Sequence, residues 1–368
     1  MLFETVLDSL SWDDVKDSIY SKKAEDVEKA LVASKSTLDD FKALVSPAAA
    51  PYLEQMAQLS MELTRKRFGK TIQLYLPLYL SNICQNRCVY CGFNAGNKIP
   101  RKILSIDEII DEVKVIKQMG YEHILLVTGE APQRSGMEYF REVFSAIRPY
   151  FAQISLEVQP LDVAEYAELA QLGLHAVYIY QETYNKQNYE QYHLAGRKRD
   201  FSWRLATPDR LGEAGIHKIG LGILAGLEDW RTDSFYCASH LKYLSKHYWR
   251  TKYSIAFPRL RPHQGAFEPK NPMSDAELLQ LICAYRILDN EVELSISTRE
   301  SAMYRDNIMK LGITTMSAGS KTEPGGYAVD RSELEQFAIN DDRSSEEIEK
   351  VIKSQGFEAV WKDWDGYL

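Results

Sequence analysis

The stretch Asn82-Ile-Cys-Gln-Asn-Arg-Cys-Val-Tyr-Cys-Gly92 places three cysteines within eight consecutive residues. A structural zinc site usually takes four ligands from two separated pairs, and the other cysteines, Cys237 and Cys283, lie far along the chain. A cubane iron–sulfur cluster on three cysteines leaves one iron open to a substrate or cofactor. A zinc site lacking one ligand, a redox-active thiol group and chance clustering are the alternatives. The predicted cluster ligands are Cys84, Cys88 and Cys91.

On both sides of this stretch, short β-rich runs alternate with amphipathic helical patterns, and strand–helix–strand units of this length favour parallel pairing. Eight such units predict an α/β fold, a closed (β/α)8 barrel of the TIM type. An open doubly wound sheet would more often stop at about five or six strands and have a glycine-rich dinucleotide turn, which is missing after the first strand. The predicted strands are Ile72–Leu80, His123–Thr128, Ile154–Val158, Ala176–Tyr180, Lys218–Leu224, Tyr253–Phe257, Leu294–Thr298 and Thr314–Ala318.

The regions flanking the barrel have a different pattern. Helical apolar spacing and capping-box-like helix starts at Ser11 and Thr37 predict an N-terminal helical extension over residues 1–70. The barrel is expected over 71–330, followed by a short C-terminal helical extension over 331–368.

The composition is that of an ordinary globular enzyme. The chain has 44 Lys and Arg against 52 Asp and Glu, a net charge of −8, which gives no reason to expect a nucleic-acid partner or an acidic membrane surface. It has no apolar run of about 18 residues and no signal-peptide pattern. Five cysteines, three of them clustered, argue for a reducing compartment rather than a disulfide scaffold. We therefore expect a cytoplasmic protein without a membrane partner.

In a barrel of this type the active site lies at the carboxyl ends of the strands. Arg299 follows the seventh strand, and Ser317 and Ser320 lie at and after the end of the eighth. A guanidinium binds a carboxylate bidentately and hydroxyls take its remaining lone pairs, so this group is suited to holding a free amino acid. An ion pair of Arg299 with Glu300 or Glu323 at the rim is the alternative.

Other polar residues directly follow apolar strands, where they would face the barrel mouth because the core offers them no partners. Arg259 and Arg261, set between prolines after the sixth strand, predict an anion site or a lid contact, with surface salt bridges as the alternative. The polar residues at the ends of the third and fourth strands are Glu157, Gln159, Gln181 and Glu182.

The cysteine spacing, with Tyr90 just before the third cysteine, resembles the C-x-x-x-C-x-x-C signature of the radical S-adenosylmethionine (SAM) superfamily. This resemblance implies a [4Fe-4S] cluster whose open iron binds the amino and carboxylate groups of SAM. It also implies one-electron cleavage of SAM to a 5′-deoxyadenosyl radical. A protein that only carries a cluster would cleave no SAM, and it would leave the polar strand ends unexplained.

The resemblance also implies roles for individual residues. Phe93, two residues past the last cysteine, would lie against the adenine. Thr128-Gly129-Glu130 stands where the superfamily often has Gly-Gly-Glu, so Glu130 would meet the SAM ammonium, although Thr128 departs from the pattern. Arg204 would contact the SAM carboxylate. The candidates for the ribose hydroxyls and nearby polar groups are Gln181 and Glu182, with Glu157 and Gln159 in addition.

Three later segments, Ser297-Thr-Arg-Glu300, Met316-Ser-Ala-Gly-Ser320 and Glu323-Pro-Gly-Gly-Tyr327, resemble the radical SAM lyases of aromatic amino acids. In that group Arg299 and the serines would hold the substrate carboxylate, and the radical would abstract hydrogen from the substrate amine before the Cα–Cβ bond breaks. Gln159, Tyr180 and Glu182 are the candidates for a polar group near a substrate phenol.

Within that group, the resemblance favours the tyrosine lyases of thiamine thiazole biosynthesis. These convert L-tyrosine to 2-iminoacetate and p-cresol, act with a thiazole synthase and take electrons from a flavodoxin- or ferredoxin-type reductant. The tyrosine lyase of hydrogenase maturation has a second cysteine triad, whereas no cysteine follows Cys283 here. A tryptophan lyase that makes 3-methyl-2-indolic acid stays open, although the ending Trp361-Lys-Asp-Trp-Asp365 favours the thiamine branch. Sulfur insertion of the biotin synthase kind usually needs a second cluster.

Overall fold

The computed structural model describes residues 2–263 and 265–362, in which ten parallel strands form one curled sheet. Helices connect most of the strands and cover the outer face, so the fold is the predicted α/β barrel architecture. The strands are β1 (Thr71–Tyr75), β2 (Pro77–Ser81), β3 (His123–Thr128), β4 (Gln153–Glu157), β5 (Leu174–Tyr178), β6 (Lys218–Gly222), β7 (Lys252–Ala256), β8 (Glu293–Ile296), β9 (Thr315–Ser317) and β10 (Glu358–Val360).

The first predicted strand is divided at Leu76 into β1 and β2. The segment β1 pairs with β9, whereas β2 pairs with β3, and between them the Leu76 carbonyl accepts a hydrogen bond from the Leu125 amide at 3.0 Å. The curled sheet therefore runs from β2 through β9 and returns to the same stretch of chain. Pro77 explains the division, because proline has no N–H to donate to a ladder. The prediction of eight strands was wrong in this detail and also omitted β10, which pairs with the outer edge of β1.

Helices lie between most of the strands along the chain. The stretch 201–213 forms two short helices rather than one, because Pro208 lacks the N–H that a continuous helix would need and restricts the residue before it. The helices are α1 (Phe3–Asp8), α2 (Trp12–Tyr20), α3 (Ala24–Val32), α4 (Leu38–Val45), α5 (Leu53–Phe68), α6 (Ile106–Gln118), α7 (Met137–Ile147), α8 (Val163–Gln171), α9 (Tyr189–Tyr192), α10 (Phe201–Leu205), α11 (Thr207–Glu213), α12 (Trp230–His247), α13 (Asp275–Leu288), α14 (Ala302–Ile308) and α15 (Ser345–Ser354).

The five N-terminal helices pack on one flank of the barrel, against α12 and α13. Gln280 of α13 is buried and donates two hydrogen bonds of 2.8 Å, to the carbonyls of Leu44 and Ser46. Trp12 stacks on Tyr236 of α12 with ring centroids 5.5 Å apart. These contacts join the helices to the outside of the barrel and leave the mouth open.

The C-terminal segment is more closely integrated than a helical extension would be. After α15 it adds β10 to the sheet, and its buried Asp341 forms an ion pair with the fully buried Arg305 of α14. Arg305 also donates to the Ser317 carbonyl at the end of β9. The segment 361–365, which favoured the thiamine branch over a tryptophan lyase, lies mostly outside the described residues, which stop at position 362. Among the helices of the described ranges, none is both long and apolar enough to cross a membrane.

Candidate active site

A cavity opens at the carboxyl ends of the strands, with about 1620 Å³ of empty space counted out to its open mouth. All three clustered cysteines line one side of the cavity, and Arg299 lines it as well. The cavity therefore lies where a barrel fold is expected to have its active site.

One arginine, Arg101, holds the cysteine loop in place. The Arg101 guanidinium donates to four backbone carbonyls, those of Asn82 (2.8 Å), Phe93 (2.9 Å), Asn94 (2.7 Å) and Asn97 (3.2 Å). Such a fork of donors fixes a loop that has no regular secondary structure of its own. The loop is therefore set in its conformation by protein contacts.

The three thiols are partly or wholly withdrawn from water. Burial raises the pKa of Cys84 to about 11 and that of Cys88 still further, while Cys91 accepts a hydrogen bond from the Gln336 amide at 3.5 Å. Within the described residues no three His, Cys, Asp or Glu side chains converge on a single ion. A cubane spreads its thiolates over several irons, so this arrangement fits a cluster better than a mononuclear site.

Gly129 allows the strand end of β3 to approach the cysteine loop. A Cβ atom at this position would lie 2.3 Å from the Ile83 carbonyl oxygen and 3.0 Å from the Cys84 Cβ. The Gly129 amide donates to the Ser81 carbonyl at 2.9 Å. The Gly129 backbone is therefore packed against the end of β2 and the start of the cysteine loop. The neighbouring Thr128 hydroxyl is buried with no hydrogen-bond partner among the described residues.

The two charged residues predicted for the ends of SAM lie together in the cavity wall. The Glu130 carboxylate accepts from the Asn86 amide at 2.7 Å and from the Arg204 guanidinium at 2.9 Å. Arg204 also donates from Nε to the Tyr180 carbonyl at 2.7 Å. A largely buried guanidinium and carboxylate held side by side can bind the two charges of a zwitterionic amino-acid group, the guanidinium its carboxylate and the carboxylate its ammonium.

Glu182 is the one non-glycine residue with positive φ, at 70°, among the residues that the structure describes. Its carboxylate accepts from the Lys198 ammonium at 2.6 Å, and both side chains are nearly buried. Strained backbone of this kind is often found at functional sites. Lys198 was missed from the sequence because it lies in a short basic turn with no strand before it.

The remaining residues predicted for SAM divide between the cavity and its surroundings. Phe93 is buried in the lining, edge-to-face on Tyr79 with ring centroids 5.9 Å apart. Gln181 lies outside the lining, although Tyr180 and Glu182 on either side of it line the cavity, and its buried side-chain nitrogen has no hydrogen-bond partner among the described residues. Gln159 also lies outside, and its amide donates to the Ser135 carbonyl at 2.6 Å. Of the phenol candidates, Tyr180 and Glu182 remain in the cavity.

Arg299 has no ion pair or side-chain hydrogen bond within the described ranges, and its guanidinium lies 3.5 Å from the centre of the Phe337 ring. The predicted alternative of a rim ion pair was wrong. Glu300 is paired instead with Arg259, and the Glu323 carboxylate accepts from the Thr322 amide at 2.8 Å. A guanidinium in a cavity without a counter-ion is available to an anionic ligand.

The hydroxyls beside this arginine differ in their partners. Ser317 accepts from the Thr298 amide at 3.1 Å, whereas the buried Ser320 hydroxyl has no partner in the described part of the chain. The two arginines predicted as an anion site or surface salt bridges separate in the structure. Arg259 forms ion pairs outside the cavity lining, and Arg261 lines the cavity with its Nε unpaired within the described residues.

Glu157, at the end of β4, lies between the two groups of charges. Burial raises its pKa to about 7, and the nearby negative charge of Glu182 acts in the same direction, while Arg299, Lys198 and Arg204 oppose the shift. Its carboxyl lines the cavity with no hydrogen bond or ion pair to the residues that the structure describes. It can therefore change charge near neutral pH in response to a ligand.

Gln336 and Phe337 were also missed from the sequence. They come from the C-terminal segment after β9, line the cavity and contact Cys91 and Arg299, respectively. The Gln336 amide oxygen accepts from the Tyr79 hydroxyl at 2.9 Å. No periodic pattern marks this segment, so neither side chain could have been assigned to the site from sequence.

Comparison with known proteins agrees with this geometry. Residues 78–235 match the radical SAM superfamily model, and residues 256–358 match the biotin and thiamin synthesis associated domain. The chain is 54% identical to the 2-iminoacetate synthase of Escherichia coli (strain K12) and 52% identical to that of Salmonella typhimurium, covering 98% of this chain and 96% of each relative. The X-ray structure of the FeFe-hydrogenase maturase HydG from Carboxydothermus hydrogenoformans superposes with a TM-score of 0.87 at 31% identity, over 98% of this chain and 83% of the maturase.

Proposed function

The chain belongs to the radical SAM superfamily and, within it, to the family of the 2-iminoacetate synthases, and from this we propose that it cleaves the Cα–Cβ bond of L-tyrosine to give 2-iminoacetate and p-cresol. The observation that carries the proposal is the arrangement of the cavity. The cysteine loop lies on one side, and Arg299, without a counter-ion among the described residues, is available to the carboxylate of an amino acid.

The cavity residues fit a [4Fe-4S] cluster and SAM. Cys84, Cys88 and Cys91 would hold the cluster, and the unpartnered Thr128 hydroxyl and the Glu130–Arg204 pair offer polar groups to a second ligand beside it. When bound, the cluster and SAM together supply a carbon-centred radical that removes a hydrogen atom from the substrate. The protein's own contribution is to bind, orient and exclude water.

On the SAM side, we assign the ammonium to Glu130 and the carboxylate to Arg204, with Phe93 against the adenine. Glu182 would accept from the ribose hydroxyls, since Lys198 holds its carboxylate in place. Gln181 is no longer assigned a contact, because it does not line the cavity.

On the substrate side, Arg299 would bind the tyrosine carboxylate with Ser317 and Ser320 beside it. The Ser320 hydroxyl has no other described partner, so binding would satisfy a buried polar group. Tyr180 is the candidate neighbour of the phenol. An imine product is hydrolysed by water, so the partial enclosure of the cavity protects it.

Glu157 gives this proposal a pH dependence. We place its carboxyl near the cationic part of SAM, which it attracts only when ionised. Because its pKa is raised to about 7, the carboxyl is mostly protonated at pH 6 and mostly charged at pH 8. SAM affinity is therefore expected to rise by up to about tenfold between these values. Equilibrium binding across this range should show the rise in the wild type and a flatter profile in Glu157→Gln; parallel profiles would contradict the placement.

The proposed reaction is tested with the reconstituted enzyme under anaerobic conditions. Iron and sulfide are restored, dithionite and SAM are added with either tyrosine or tryptophan, and the products are identified by mass spectrometry. We expect p-cresol and glyoxylate, the hydrolysis product of 2-iminoacetate, from tyrosine. Production of 3-methyl-2-indolic acid from tryptophan would instead identify a tryptophan lyase, and the absence of 5′-deoxyadenosine would contradict radical SAM chemistry.

We further propose a thiazole synthase as the acceptor of 2-iminoacetate, because a water-sensitive product is best passed on directly. A flavodoxin- or ferredoxin-type protein is proposed as the electron donor, and the cytoplasm as the compartment.

We also propose the three-part division into residues 1–70, 71–330 and 331–368, with the last part no longer described as purely helical. The last part adds a strand to the sheet and two side chains to the cavity.

A further inference from the structure

The outer face of the cysteine loop is basic in a chain that is acidic overall. Residues 82–104 contain four basic side chains and no Asp or Glu, whereas the whole chain has a net charge of −8. The segment 193–204, which packs against this loop, adds four basic residues against the single acid Asp200. Positive charge is therefore concentrated around the residues that would hold the cluster.

Backbone hydrogen bonds bring three segments together on this face. The Arg87 amide donates to the Ala195 carbonyl at 2.9 Å, and the Leu194 amide donates to the Arg87 carbonyl at 3.0 Å. On the other side of the loop, the Gln85 backbone amide donates to the Glu130 carbonyl at 2.9 Å, and the Gln85 side-chain nitrogen donates to the side-chain oxygen of Gln133. The chain after β3 and the chain after α9 thus flank the cysteine loop.

Four exposed cations on these segments have no ion pair within the described residues, and we call them the basic face: Arg87, Lys98, Arg134 and Arg197.

The neighbouring cations have partners inside the protein and are not part of this face. Arg101 donates to the loop carbonyls, Lys198 forms an ion pair with Glu182, and Arg199 forms an ion pair with Glu190. Leu194, 48% exposed, adds an apolar side chain among the free cations. A surface of unpaired cations around one exposed apolar residue suits a transient protein partner of opposite charge.

We infer that the basic face is the docking surface for an acidic one-electron carrier protein, an inference that rests on the proposed function. Arg87 precedes Cys88 directly, and the cysteine lines the cavity from the inner side of the same loop. A carrier bound here would be separated from the cluster by little more than the loop itself. One electron leaves the carrier and enters the cluster, and no atom or proton needs to move with it.

The test compares protein and chemical reductants, using a reduced flavodoxin as the carrier. The variant Arg87→Glu/Arg197→Glu reverses two charges of the basic face, and Arg250→Glu/Lys310→Glu reverses two exposed charges in the connections before β7 and β9, at the opposite end of the barrel. Iron content and circular dichroism establish that each variant is folded and loaded. Binding of labelled, oxidised flavodoxin is measured directly by fluorescence anisotropy at low and high salt.

We expect the basic-face variant to bind flavodoxin at least about tenfold more weakly at low salt, since reversing rim charges replaces attraction with repulsion. Flavodoxin-driven p-cresol formation should fall in parallel, while the dithionite-driven rate stays within about twofold of the wild type. The control variant should match the wild type in both assays, and raising the salt should weaken wild-type binding.

Two results would overturn the inference. Equal flavodoxin affinity in the basic-face and control variants would show that the carrier docks elsewhere. An equal loss of the dithionite-driven rate would show that Arg87 and Arg197 support the site itself rather than a partner. A second pair, Lys98→Glu/Arg134→Glu, repeats the comparison if the first variant does not fold. If wild-type enzyme makes no p-cresol with dithionite, it is the proposed function that fails, and the binding assay still reports on the surface.

Discussion

The Cys88→Ala variant is expected to hold no [4Fe-4S] cluster and to make no detectable p-cresol, a loss of at least about 10³-fold. Removing a residue that only hydrogen-bonds a metal ligand typically lowers metal affinity or activity by about 10–100-fold, and removing the ligand itself costs more. Cys88 is the most buried of the three thiols, at 5% exposed, and apart from the other two ligands, Cys84 and Cys91, no described cysteine lines the cavity to replace it. Iron and sulfide content, visible absorbance and product formation after anaerobic reconstitution measure the effect.

A matched control is available in Cys283→Ala. Cys283 is also a fully buried thiol, but it lies on α13, outside the cavity. This variant is expected to keep its cluster and its activity, with only the modest loss of stability that follows from a small cavity. A full cluster in Cys88→Ala, or loss of the cluster in both variants, would contradict the assignment of the cysteine loop.

The strand ends show how far sequence reasoning reaches in a parallel barrel. A polar residue directly after an apolar strand can be placed at the mouth, and Glu157, Glu182 and Arg299 do line the cavity. The sequence does not establish which of two successive polar residues faces inward. Gln181 was predicted to contact SAM for this reason, but it lies outside the cavity lining, whereas its neighbours Tyr180 and Glu182 line it.

Long-range partners are the part that sequence could not supply. Whether Arg299 is free depends on Glu300, and Glu300 is paired with Arg259, some forty residues earlier in the chain. Phe337 packs on the same guanidinium from a segment with no periodic pattern. Whether a charged side chain is available to a ligand therefore depends on the folded structure, whereas the type of residue at a strand end is known from the sequence.

Arg299→Ala is expected to raise the KM for tyrosine by about 30- to 4,000-fold. Removing one partner of a buried charged contact costs about 2–5 kcal/mol, and each 1.4 kcal/mol is a factor of ten. Arg299→Lys keeps the charge but loses the planar fork that matches a carboxylate, so it should recover only part of this loss. The KM is measured from p-cresol formation with dithionite as reductant.

The cluster content of Arg299→Ala is expected to stay at the wild-type level, because we place this arginine on the substrate side of the cavity. Lys321→Ala removes an exposed cation one residue past Ser320 and should leave the tyrosine KM within about twofold of the wild type, since exposed charges contribute little. A wild-type tyrosine KM in Arg299→Ala would mean that the carboxylate binds elsewhere. Arg261, which also lines the cavity with an unpaired Nε among the described residues, would then be the group to test.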